Sequence, residues 1–126
     1  MSLPEDTALA DRISSEIAAI HRESYGADVE SIRTYVLDDL IVCLMDINLL
    51  VHERTLLAHG DELDGVRRTR QQFQEAIGST FIATVEHFTG RRVVGFLSDT
   101  HLDPNFSVEI FRLGPAAAGN ASVPEP

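Results

Sequence analysis

The chain has no lysine: all ten basic residues among its 126 are arginine. A Walker-type phosphate loop, a Schiff-base lysine and a lysine general base are therefore excluded. Tryptophan is also absent and aromatics make up only 6%, too few for platforms that stack bases or sugars. One cysteine, Cys43, rules out an internal disulfide and a thiolate metal cluster. It lies in the apolar run Leu40–Met45 with no electropositive neighbour in sequence, the setting of a small buried hydrophobe rather than a reactive thiol. No apolar run is long enough to span a bilayer, and no basic segment precedes an apolar core. The expectation is a cytoplasmic chain without membrane insertion. Positive charge is scarce overall, and a net charge of -10 disfavours nucleic acid and anionic lipid as partners.

With 44% hydrophobic and 24% charged residues, the composition is globular, and the length suits one domain. Residues 1–6 read as a disordered N-terminus and 7–113 as a single domain. The shift to Pro, Ala and Gly over 114–126 reads as a disordered tail.

Within the domain, Asp6 or Thr7 caps a first helix carrying Leu9, Ile13, Ile17 and Ile20 at helical spacing, with Gly26 as its stop. Ser31–Leu37 and Leu40–Asp46 flank Asp38-Asp39 as a hairpin. The second of these strands is apolar on both faces, so it is either central or covered by a partner subunit. Leu49–His59 reads as a short helix. Asp61–Gly90 then reads as one long amphipathic helix, roughly 40 Å in length, with Leu63, Val66, Phe73, Ile77, Phe81, Val85 and Phe88 on its stripe and Gly78-Ser79 as a point where it can bend. Arg91–Ser98 and Phe106–Leu113 form a second strand pair around a loop of turn formers, Asp99–Asn105. In Phe106-Ser107-Val108-Glu109-Ile110 apolar and polar residues alternate, as in a half-buried antiparallel strand. The expected fold is α+β: a two-layer sandwich in the order helix, hairpin, helix, long helix, hairpin. Its four-stranded, mostly antiparallel sheet would carry helices on one face.

Several of these positions together resemble a known family. They are Gly26 after the first helix, the hairpin at Asp38-Asp39, Leu49-x-x-x-Glu53, Gly60 before the long helix, Arg67 and Arg70 within it, Gly90, and the closing Val108-Glu109-Ile110-Phe111-Arg112-Leu113. Their spacing is similar to that of the MpsC-like family, named for a sodium-translocating, membrane-potential-generating system, over roughly Ile13 to Leu113. The chain departs from the pattern at Ala27-Asp28, where the family has Gly-Pro, and at Leu50, where it tends to have Thr. The second change removes a helix-capping hydroxyl. The resemblance implies an accessory role near an ion or inorganic-carbon transport system and brings no catalytic residues with it.

Arg70 interrupts the apolar stripe between Val66 and Phe73. An arginine there pairs with a carboxylate in the fold, meets a partner, or holds an anion. Arg67, one turn earlier, and Glu53 on the short helix are its candidate companions in a ligand site. Asp99, His101 and Asp103 alternate along their loop and are the candidate ligands of a divalent metal, set against the ordinary abundance of Asp and His in loops. His52, Glu53 and His59 lack the spacing of a zinc-binding helix. His21 and His87 read as helix-surface residues. No nucleophile elbow, glycine-rich dinucleotide loop or paired-carboxylate constellation is present in the sequence.

Two functions follow. The first is a non-catalytic accessory or regulatory protein without a cofactor, acting as a homodimer on a membrane-transport protein partner, with Val42, Leu44, Phe73, Ile77 and Phe81 as candidate interface. The alternative is a small-anion-binding domain or weak enzyme using Arg67 and Arg70.

Overall fold

Proline at the start of a helix gives up no hydrogen bond, because the first N–H groups of a helix have no carbonyl to reach. Pro4 uses this freedom. In the computed structural model, which describes residues 4–26, 29–47, 55, 58, 63–102 and 104–115, helix α1 runs Pro4–Tyr25, starting ahead of the cap expected at Asp6 or Thr7. Gly26 ends it, its N–H donating to the Arg22 carbonyl at 3.0 Å.

The first hairpin follows, with β1 at Val29–Leu37 and β2 at Leu40–Ile47. Asp38 in the connecting turn takes φ 53, a left-handed conformation that Asp tolerates better than most residues. The expected short helix at Leu49–His59, with His52, Glu53 and His59, falls outside the described residues apart from Thr55 and Ala58, which are helical.

The expected long helix is two helices. α2 spans Leu63–Ala76 and α3 spans Gly78–Thr89. Between them Ile77 sits at φ -95, ψ 3, outside helical values. The cause lies at Gly78, where a Cβ would come within 2.8 Å of Phe96 Cε2. The break lets the backbone of α3 press against the sheet at the one residue without a side chain. Gly90 closes α3 at φ 69, its N–H donating to the Glu86 carbonyl, a left-handed cap that glycine adopts without steric cost.

The second hairpin is longer than expected. β3 runs Val93–Leu102 and β4 runs Asn105–Leu113, so Asp99–Leu102 and Asn105 of the expected loop are strand, and Pro104 lies in a turn. Thr100 and Leu102 explain the extension, because both turn inward and are buried. The sheet has order β1-β2-β4-β3, all neighbours antiparallel. The two hairpins thus join through their second strands, leaving β1 and β3 as edges.

All described helices lie on one face of the sheet. α1 packs on β1 and α3, and α2 packs on β3. The core between the layers holds Ile13 and Ile17 of α1, Ile41, Met45 and Ile47 of β2, Phe81 and Val85 of α3, and Phe111 and Leu113 of β4. Two expectations change here. Phe81 is fully buried and has no surface left for a partner, while Phe73 and Ile77 also turn inward, Phe73 onto Tyr25 and Ile77 onto the core. His21 is not a surface residue: it is 1% exposed and packs against the rings of Tyr25 and Phe73. His87 is exposed as expected.

Candidate functional site

In a strand with one face on the core, alternating residues are expected to send their apolar members inward. β4 does the reverse in its first half. Ser107 and Glu109 are fully buried against the helices, while Val108 and Ile110 point to the open face. The period read from the sequence is right and its phase is inverted.

On the inner face the inversion creates a polar row across all four strands: Thr34, Cys43, Glu109 and Ser98 stand directly opposite one another in register. Ser14 of α1 meets Thr34 at 2.6 Å at one end. At the other, Ser98 donates its hydroxyl proton to Gln74 Oε1 at 3.1 Å. With that proton directed to Gln74, neither Glu109 carboxyl oxygen has a hydrogen-bond partner in good geometry among the described residues. Burial pushes the Glu109 carboxyl up to about 8, and the nearby Ser98 hydroxyl offsets the push only partly, so the group is mostly protonated at neutral pH. Burial likewise raises the Cys43 thiol to about 12, with the Thr34 hydroxyl opposing and Glu109 adding to the rise. Cys43 is therefore an inert thiol at neutral pH.

Arg70 enters the same layer from α2 and is 2% exposed. Its guanidinium donates to the Tyr25 hydroxyl at 3.3 Å, to Thr100 Oγ1 at 3.5 Å and to Asn105 Oδ1. Asn105 in turn donates to the Ile47 carbonyl. Arg70 thus links α1, α2 and the start of β4, and Asn105 extends the link to the end of β2. Arg67 lies on the solvent side of the same helix, so the two arginines do not converge. Glu53, their expected companion, is outside the described residues.

The open face is a four-by-four grid of outward side chains. Nearest the Asp38-Asp39 turn is the row Leu37, Leu40, Arg112, Gly95. Next come Tyr35, Val42, Ile110, Leu97, apolar from edge to edge. The third row is Arg33, Leu44, Val108, Asp99, apolar at its centre with opposite charges at its ends. The fourth is Ser31, Asp46, Phe106, His101. Leu97 is 68% exposed, Leu37 52% and Tyr35 42%. The expected interface residues Val42 and Leu44 lie at the centre of this face and are half-buried.

Of the metal candidates, Asp99 and His101 both project from β3 onto the open face and Asp103 is outside the described residues. Asp99 Oδ1 accepts from the Thr100 N–H at 2.8 Å. His101 lies 2.8 Å from the Pro104 carbonyl and stacks on Phe106. Among the described residues no group of three metal-ligating side chains comes together, and none of the described helices is long and apolar enough to cross a membrane.

The sequence singles out Val42 and Leu44, which lie on this open face, but not their neighbours Leu97, Val108 and Ile110. The available signal was the pairing of two strands, Leu40–Asp46 and Phe106–Leu113, that each carry apolar residues at both parities. No curated protein and no solved structure matches the chain. The family described as MpsC, Na+-translocating membrane potential-generating system, matches residues 5–114, and the chain belongs to that family.

Proposed function

We propose that this protein is a non-catalytic accessory component of a Na+-translocating, membrane-potential-generating system, working on the cytoplasmic side as a homodimer joined through the open face of its sheet. The observation that carries this reading is the phase of β4. Turning Val108 and Ile110 outward while burying Ser107 and Glu109 is unfavourable for an isolated domain, because it desolvates a carboxyl and hydrates two branched side chains. Covering the open face offsets the second cost. Apolar sheet faces left uncovered also invite uncontrolled association. The family's description supports the link to such a system, and the apolar open face supports a role in binding.

The test is complementation. In cells lacking this protein, a potential-sensitive dye should report a reduced Na+-dependent membrane potential. Wild type should restore it, and Leu97→Asp should not, while its melting temperature, at a position 68% exposed, should stay that of wild type. Full restoration by Leu97→Asp would contradict the proposal.

A further inference from the structure

We infer that the two copies pack face to face about a twofold axis parallel to the strands, so that Arg33 of each copy meets Asp99 of the other and Leu37 of each enters the hollow over the other's Gly95. This arrangement rests on the homodimer proposed above.

The charges select the axis. On the open face, Asp46 is engaged by Ser31, whose hydroxyl donates to Oδ2 at 2.7 Å. Arg112 is engaged by Asp39, with Nε 3.0 Å from Oδ2. Arg33 and Asp99 are left, at opposite edges of one row on β1 and β3. Among the described residues Arg33 has no ion pair, and Asp99 has one carboxyl oxygen engaged, by the Thr100 backbone. A twofold axis along the strands keeps each row on itself and reverses its order. It therefore sets Arg33 over Asp99 of the second copy twice, with Leu44 over Val108 between them and the apolar row beside them doubling back on itself. An in-plane axis across the strands would instead set Arg33 over Tyr35 and Asp99 over Leu97, burying both charges against apolar groups.

Shape agrees with charge. The same reversal sets Leu37 over Gly95, the one outward position without a side chain, where Leu40, Leu97, Ile110 and Arg112 form the walls of a hollow. Packed sheets are rotated by about 30°. At an edge strand about 7 Å from the axis this shifts facing residues by about 4 Å, within the reach of an arginine. The grid covers about 500 Å² in plan. With the relief of its side chains it approaches the roughly 800 Å² per partner of a stable interface.

The test is a charge-swap cycle read by sedimentation equilibrium. Arg33→Asp and Asp99→Arg should each weaken dimerisation about tenfold or more, and the double variant should return to within about threefold of wild type. Gly95→Val should also weaken it about tenfold while leaving thermal stability unchanged, since a Cβ at Gly95 meets only Arg112 Cβ, at an ordinary 3.6 Å. If wild type dimerises and the single swaps leave its dissociation constant unchanged, this packing is wrong and the dimer stands. If wild type is a monomer at a concentration of about 100 micromolar, both proposals fall.

Discussion

Glu109 and Arg70 share a layer of the core and are handled in opposite ways. The guanidinium is surrounded by donated hydrogen bonds to Tyr25, Thr100 and Asn105, whereas the carboxyl is kept neutral by burial. For a carboxyl raised from 4.5 to about 8, the folded state binds more protons than the unfolded state between those values. Stability therefore falls as pH rises through that window and levels off above it. Glu109→Gln, which cannot ionise, should be more stable than wild type at pH 8.5, by an amount on the order of a few kcal/mol. The gap should close toward pH 5, and chemical denaturation across the range reads it directly. Arg70→Ala should cost about 2–4 kcal/mol, since it strands buried polar partners and opens a cavity. Arg67→Ala, at an exposed position, should change stability by no more than about 0.5 kcal/mol. Equal losses at the two positions would contradict the contrast between a buried Arg70 and an exposed Arg67.

Among the elements, the break between α2 and α3 makes the sharpest prediction. In an unbroken helix Gly→Ala stabilises by about 1 kcal/mol. At Gly78 the new methyl would meet Phe96, whose ring is held against Phe111 with centroids 5.1 Å apart. Gly78→Ala should therefore destabilise by about 1–3 kcal/mol, and adding Phe96→Leu should recover part of the loss in thermal melts. Local chemistry made α1, the first hairpin and the α+β layering legible in the sequence, because apolar period and turn residues act over a few positions. Gly78-Ser79 was legible as a possible bend, but the reason for the break, Phe96 on β3, is remote in sequence. The same holds for β4. Alternation along Phe106–Ile110 gives the period without the phase, and the phase depends on Phe111 and Leu113 docking under the helices. Asp99–Leu102 reads as loop because Asp, Thr and His resemble turn chemistry, yet Thr100 and Leu102 alternate as strand residues facing the core. Within the candidate site, Val42 and Leu44 were legible because β2 is apolar at every position up to Met45. Arg33 was not, since its meaning comes only from lying in the same row as Asp99.

At the scale of the whole molecule, one sheet carries two different surfaces. The inner face closes the fold under the helices, with a polar row running through it. The outer face presents an apolar row from edge to edge, and beside it a row ending in opposite charges. A chain with net charge -10 opposes its own association at long range, so the contact must come from short-range burial and from the few pairs that match. The most direct measurement is sedimentation velocity on wild type and Leu97→Asp across the micromolar range. Wild type should sediment as a dimer and Leu97→Asp as a monomer of unchanged melting temperature. A wild-type monomer, or a Leu97→Asp dimer as tight as wild type, would contradict a homodimer joined through the open face.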